Sequence, residues 1–188
     1  MTEDLMNSGP PDDNTFSYGI SKRIMSTQIE NYNKEFGTKY NYITPCNLYG
    51  INNKHSEDNS HFITDLINKI KLANKNNDNY IQLFGDGTPI RQLMHAEDIA
   101  NVIKIMIDKD IVDSFNVAGE EVLTIDEIAK IALRATGSEH IRIVYDCDKP
   151  NGQLRKDLDI KKFKQLMPEY KCELLYDGLK KYYKLCQE

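Results

Sequence analysis

An α/β fold is predicted by three features of this 188-residue sequence. Apolar residues recur at helical spacing in several blocks, short runs of β-branched and aromatic residues lie between them, and those runs are too widely separated for hairpins. With 40% hydrophobic residues the chain can bury one sizeable core.

Residues 1–17 hold Gly9, Pro10, Pro11, Asp12, Asp13 and Asn14, turn formers without apolar periodicity, and are expected to form a loop. From Tyr18 to Phe36 the positions Ile20, Ile24, Met25, Ile29, Tyr32 and Phe36 recur every three to five residues, the pattern of a helix with one apolar face. Gly37 stands where a C-terminal cap is expected. Tyr40, Tyr42 and Ile43 then form a short β-type run ending at Pro45, and Asn47 to Asn59 is expected to be a polar connection.

Phe62, Leu66, Ile67, Ile70 and Leu72 predict the next helix, followed by an Asn-rich loop over Asn74 to Asn79. A strand over Tyr80 to Phe84 closes in Gly85-Asp86-Gly87. Ile99, Val102, Ile103, Met106 and Ile107 give the clearest amphipathic helix, and Ser114 to Val117 a strand. Thr124-Ile125-Asp126-Glu127 is a capping box opening a helix that runs toward Gly137. Ile141, Ile143 and Tyr145 alternate as a strand, and two helices are expected near Asp159 to Leu166 and Leu174 to Leu185.

Several function classes start from a low prior. The net charge of −5 argues against a grip on nucleic acid, which needs surplus Lys and Arg. No apolar stretch approaches the roughly 18–20 residues needed to span a bilayer, and the first residues lack a secretory signal pattern, so a cytoplasmic address and no membrane partner are expected. Cys46, Cys147, Cys172 and Cys186 are scattered without a C-x-x-C pair, which suggests reduced thiols rather than a zinc site or a disulfide framework.

Chemistry enters with Tyr18-Gly19-Ile20-Ser21-Lys22. The Tyr-x-x-x-Lys spacing sets both side chains on one helix face, and an ammonium beside a phenol favours the phenolate, which suits proton exchange with a carbonyl oxygen. Alone, the pair reads more readily as two residues on a solvated face, since Tyr and Lys four apart occur often by chance. Further motifs follow it in order: Pro45-Cys46-Asn47-Leu48-Tyr49-Gly50, Asn59-Ser60-His61, Phe84-Gly85-Asp86-Gly87-Thr88-Pro89-Ile90-Arg91, His95-Ala96-Glu97-Asp98, Asn116-Val117-Ala118-Gly119 and Lys149-Pro150-Asn151-Gly152-Gln153-Leu154-Arg155-Lys156.

In register and spacing these motifs resemble the GDP-L-fucose synthases of the extended short-chain dehydrogenase/reductase family, over nearly the whole chain. They resemble, in order, that family's Y-x-x-x-K, P-x-N-L-Y-G, N-S-H, W-G-x-G-x-P-x-R, H-V-D-D, N-V-G-x-G and K-P-D-G-T-P-R-K, with Phe84 in the place of the Trp. Other sugar-nucleotide epimerases and dehydratases share the Tyr and Lys, whereas N-S-H and the K-P-x-G-x-x-R-K run are more particular to the fucose enzymes. The resemblance implies the C-terminal part of a Rossmann-like NAD(P)-binding fold with its substrate lobe. Residues 1–46 would belong to the dinucleotide-binding domain with the Tyr-x-x-x-Lys helix, and 47–188 mainly to the substrate lobe, with 92–118 returning to the Rossmann sheet.

By the same resemblance, GDP-4-keto-6-deoxymannose is epimerised at the two carbons flanking the ketone and then reduced by NADPH. Tyr18, Lys22 and His61 would be catalytic. Tyr18, Lys22, Pro45, Asn47, Leu48 and His61 would face the cofactor, and Lys69, Phe84, Arg91 and Lys156 the GDP-sugar. Arg91 and Lys156 also read as surface charges, and for Lys69 that reading is the stronger. His61, with His55, Glu57 and Asp58, also fits a solvated loop or, at low prior, a metal site.

No G-x-x-G-x-x-G or G-x-G-x-x-G occurs in the sequence, so NADP(H) is expected only when an N-terminal half supplies the phosphate-binding turn. The family's catalytic Ser and its paired Cys have no counterpart here, and Cys46 matches a different position. Three readings therefore stand together: a half-enzyme completed by an N-terminal partner, a GDP-sugar-binding protein without turnover, and a remnant or interaction protein. A partner half, or a second copy, is expected to meet the Tyr18 to Phe36 helix, whose apolar face lacks a sheet to cover it.

Overall fold

The structure, a computed structural model, describes residues 1–51 and 62–186. Residues 1–15 form no strand or α-helix and carry two short 3-10 turns, as their turn formers predict. Helix α1 (Phe16–Phe36) ends at Gly37, whose φ of 64° supplies the left-handed cap. Asn33 secures that turn, its side-chain carbonyl accepting from Tyr40 N (2.9 Å) and Thr38 Oγ1 (2.7 Å).

Strand β1 (Ile43–Pro45) is followed by β2 (Asn47–Tyr49), which lies within the segment expected to be a polar connection. Periodicity cannot register a three-residue strand with one strongly apolar position. What makes β2 a strand is its parallel partner β4 (Ile90–His95), itself absent from the sequence expectation because Arg91 and Gln92 interrupt the apolar pattern. Helix α2 (Phe62–Asn76) extends into the expected Asn-rich loop and is followed by β3 (Tyr80–Phe84). Helix α3 (Ala96–Asp108) starts directly from β4, and β5 (Phe115–Val117) follows it.

A short strand β6 (Val122–Thr124) leads into α4 (Ile125–Ala135) through the predicted capping box. Glu127 N donates to Thr124 Oγ1 (3.1 Å), and Thr124 N donates to the Glu127 carboxylate (2.8 Å). Strand β7 (Arg142–Asp146), the two-residue β8 (Arg155–Lys156), α5 (Lys161–Leu166) and α6 (Leu175–Leu185) complete the order.

The pairing is predominantly parallel: β1 with β5, β2 with β4, β3 with β7 and β8 with β4. Among the described residues only β6 runs antiparallel, pairing with β4, and it is not joined to it by a hairpin. One apolar core gathers α2, α4 and α6 around β3, with Leu66, Ile70, Ile128, Ala132 and Leu179 fully enclosed. A second packs Val102 and Met106 of α3 and Phe163 of α5 against Phe115 and Val117 of β5. Buried Gln92 ties strands to the C-terminal segment, donating to Gly119 O (2.8 Å) and accepting from Leu158 N (2.9 Å).

Helix α1 stands apart from both cores. Its one buried residue among those described is Ser26, while Phe16, Ile24, Met25, Tyr32 and Phe36 are exposed. No described helix is long and apolar enough to cross a membrane.

Candidate functional site

Tyr18 and Lys22 lie one turn apart at the start of α1, with the Lys22 Nζ 5.4 Å from the Tyr18 ring centroid. The entry of the helix is held by Arg23, which donates to Gly9 O (2.6 Å) and Ser8 O (3.0 Å). Pro11 crosses the helix so closely that a Cβ on Gly19 would sit 2.7 Å from it. Gly19 therefore lets the Pro10-Pro11 loop pack beside Tyr18, leaving the phenol 67% exposed.

Both side chains line a cleft of about 1160 Å³, together with Pro45, Asn47 and Leu48 of the β1–β2 segment. His95 at the end of β4 and Glu97 in the first turn of α3 also reach it. Buried His95 caps α3 by accepting from Glu97 N (3.3 Å) and meets the Tyr49 ring edge-on at 5.2 Å. Tyr49 is itself buried, and a Cβ on Gly178 of α6 would lie 2.0 Å from its hydroxyl. Burial, with Glu173 and other carboxylates adding to it, pushes the Tyr49 phenol well above its ordinary range, so this tyrosine stays protonated. In the β1–β2 bend, burial pushes the Cys46 thiol up to about 11.

A second constellation forms around the turn after β3. Gly85 (φ 78°) abuts Asn151, whose side-chain oxygen would lie 2.1 Å from a Cβ there and accepts from Asp86 N at 2.8 Å. Gly87 (φ 80°) abuts the Tyr145 ring in the same way. Thr88 donates to the Asp86 carboxylate from its hydroxyl (2.7 Å) and its amide (2.9 Å), holding that carboxyl below its ordinary range. Lys69 lies over the exposed Phe84 ring at 5.3 Å while pairing with Asp65 at 2.9 Å.

Arg91 and Lys156 are register neighbours in the β4–β8 pair. The Arg91 Nη1 donates to Ile90 O (2.8 Å) and Gln153 O (2.7 Å), so part of this guanidinium serves the local backbone. Segment 149–156 thus touches Phe84, the Gly85 turn and Arg91 in succession. The fold sorts the site residues expected from the sequence into two groups: Tyr18, Lys22, Pro45, Asn47 and Leu48 at the cleft, and Lys69, Phe84, Arg91 and Lys156 along the 149–156 segment. His61 and the Asn59-Ser60-His61 motif lie outside the described residues, as do His55, Glu57 and Asp58.

Sequence reasoning passes over Tyr49, His95, Asn151 and Lys149. All four lie inside quoted motifs, so the signal is present. Their roles depend on neighbours distant in sequence, such as Gly178 for Tyr49 and Phe84 for Lys149.

Parallel strands joined through helices, with a Tyr-x-x-x-Lys helix over a cleft at their ends, define part of a Rossmann-like short-chain dehydrogenase/reductase fold with its adjoining lobe. Residues 2–118 match the NAD dependent epimerase/dehydratase family, and the chain belongs to that family. It is 28% identical over 179 residues to a probable GDP-L-fucose synthase of Drosophila melanogaster, covering 90% of this chain and 56% of that one. A GDP-L-colitose synthase of Yersinia pseudotuberculosis is 33% identical over 163 residues, covering 85% and 52%.

A GDP-L-fucose synthetase from Naegleria fowleri, solved bound to NADP, superposes with a TM-score of 0.86 at 21% identity, covering 100% of this chain and 60% of that one. The chain spans about half the length of the curated relatives it matches.

Proposed function

We propose that this chain is the substrate-binding and proton-donating half of an NADP(H)-dependent epimerase/reductase acting on GDP-4-keto-6-deoxymannose, completed by a dinucleotide-binding half. The observation that carries the reading is the cleft. It is lined both by Tyr18 and Lys22, from a helix, and by Pro45, Asn47 and Leu48, from a strand bend.

The residues present suit one end of the cofactor. Tyr18, Lys22, Pro45, Asn47 and Leu48 provide a hydroxyl, an ammonium and an apolar wall for a nicotinamide and its ribose, while no glycine-rich turn in the sequence provides for the pyrophosphate. Bound NADPH supplies a hydride to the sugar ketone. Tyr18 gives its phenolic proton to the ketone oxygen, and Lys22 holds positive charge beside the phenol as that proton leaves. The same hydroxyl stabilises the enolate oxygen needed for epimerisation, for which His61 is the proposed proton carrier. Lys69, Phe84, Arg91 and Lys156 hold the GDP-sugar, their cationic groups facing the diphosphate. In this reading residues 1–46 and 92–118 form the dinucleotide side and the remainder the substrate lobe.

The need for a second half is supported by the outer edge of β1. Cys46 N donates to Val117 O (2.9 Å), so by strand alternation the backbone N–H and C=O groups of Thr44 and Cys46 are directed toward β5, and those of Ile43, with the Pro45 C=O, away from it. Pro45, without an N–H, costs the β1–β5 ladder nothing there. No described strand occupies that edge. Parallel strands are ordinarily covered on both faces, and α1 leaves its apolar residues exposed above this one. A parallel strand from a dinucleotide-binding half fits the edge, and a second copy meeting α1 is the competing occupant.

The test begins with calorimetric titration of the chain with GDP-mannose, where absence of binding refutes the reading. The N-terminal half of a relative is then added, and NADPH oxidation by GDP-4-keto-6-deoxymannose is followed. Tyr18→Phe is expected to lower turnover by roughly 10²-fold or more with GDP-sugar affinity retained, because only a proton donor is removed. NADPH oxidation that persists at the wild-type rate in Tyr18→Phe rejects the assignment. Binding without oxidation in any pairing favours a GDP-sugar-binding protein without turnover.

A further inference from the structure

We propose that Lys149 is a further specificity-determining contact of the GDP-sugar site, gripping the ligand diphosphate together with Lys69 beside the Phe84 ring. The proposal rests on the GDP-sugar reading above and deepens it by one residue. Phe84 ends β3 with 62% of its surface exposed, so its ring is open to a ligand. Two ammonium groups share that ring: Lys69 Nζ at 5.3 Å and Lys149 Nζ at 5.9 Å from its centroid.

Both distances being measured to one centroid, the two cations are no more than about 11 Å apart, roughly one Debye length at ordinary ionic strength. At that range they repel, and an anion between them relieves the repulsion. Their surroundings differ. Lys69 is paired with Asp65 at 2.9 Å, whereas no ion pair to a carboxylate is formed by Lys149 among the described residues. The charge of Lys149 is therefore the less neutralised of the two.

The backbone beneath Lys149 is fixed. Its own amide donates to Asp146 O (3.2 Å), and two residues on, Asn151 accepts from Asp86 N (2.8 Å). Arg91 holds Gln153 O (2.7 Å), and Ile90 N donates to Leu154 O (2.8 Å). The segment is thus clamped to the same turn and strand that carry Phe84 and Arg91. A lysine presented from such a loop loses less freedom on meeting an anion than one on a free tail. An aromatic ring with two ammonium groups close to it suits a ligand with both a ring and a diphosphate.

The experiment is calorimetric titration of the full chain with GDP, comparing wild type, Lys149→Met, which keeps most of the stem and removes the charge, and Lys149→Arg, which restores it. Thermal unfolding of each variant checks that the fold is kept, as expected for an exposed side chain. Lys149→Met is expected to bind GDP about tenfold more weakly, as for loss of one charge-assisted contact, and Lys149→Arg to recover most of that loss. A change below about twofold in Lys149→Met, or an equal loss in Lys149→Arg, overturns the proposal. Wild-type chain that does not bind GDP refutes the GDP-sugar reading and this proposal with it. Wild-type binding with Lys149→Met undiminished refutes only the role of Lys149.

Discussion

Helix α1, whose apolar stripe is the more weakly segregated, and the lobe built on α2, α4 and α6 have opposite fates. Each helix carries apolar residues at helical spacing, and α1 is the longest at 21 residues. In the lobe those residues are enclosed, with Leu66, Ile70, Ile128 and Leu179 essentially without exposure. In α1, Ile24 is 53% and Tyr32 51% exposed, and Ile20 and Ile29 are half-buried. An apolar stripe thus specifies that something must cover it without specifying that the cover lies in the same chain.

The comparison can be broken most directly by hydrogen exchange on the purified chain. Amides within α2, α4 and β3 are expected to open only with the core, near the limit set by a global stability on the order of 5–15 kcal/mol. Amides from Ser17 to Phe36 are expected to exchange at least 10³-fold faster, since α1 is fastened mainly by Arg23 near its start and Asn33 near its end. Adding a dinucleotide-binding half should slow them. Equal protection of α1 and α4 in a proven monomer would show that α1 is held by the chain itself, and the argument for a second half would fall.

A smaller effect reads the floor beneath α1. Cys46 lies on the cleft wall opposite the helix, and burial lifts its thiol to about 11, whereas Cys147 is exposed. The thiolate is the reactive form, so at pH 8 only about 0.1% of Cys46 is available. Alkylation of Cys46 is expected to be about 10²-fold slower than that of Cys147, with the gap narrowing as pH rises toward 11. Comparable rates at pH 8, read by mass spectrometry of the labelled peptides, would mean that the packing of Cys46 against the α3, β5 and α5 core opens in solution.

What the sequence made legible follows the same division. The bounds of α1, α3, α4 and β3 follow from periodicity and caps, because those signals are local: Gly37 at a left-handed turn, Thr124 and Glu127 in a capping box. The strands β2, β4, β6 and β8 were not legible. Each is short or broken by polar residues, and each is a strand because of its partner in the sheet. The candidate site divides likewise. Motif spacing named Tyr18, Lys22, Arg91 and Lys156, but that Lys149 shares the Phe84 ring with Lys69 depends on contacts across 65 and 15 residues of chain, for which no local pattern exists.

The smallest expected effect is the sharpest check on the comparison. Ile24→Gln replaces an exposed apolar side chain on α1 with a polar one of good helix propensity, so it removes almost no buried area in the monomer. Its effect on stability, measured by chemical denaturation at low protein concentration, should be below about 0.5 kcal/mol in either direction. A core position of the same chemistry, such as Ile128, would lose the full transfer energy and leave a buried amide besides. If Ile24→Gln costs more than about 1.5 kcal/mol, this residue is packed in the free chain and α1 belongs with the lobe after all. If stability is unchanged while sedimentation at high concentration shows less self-association, or affinity for a dinucleotide-binding half falls, the exposed stripe is an interface. The apolar residues of α1 then contribute their burial energy only when a second surface arrives, which is the distinction between this helix and the three that pack around β3.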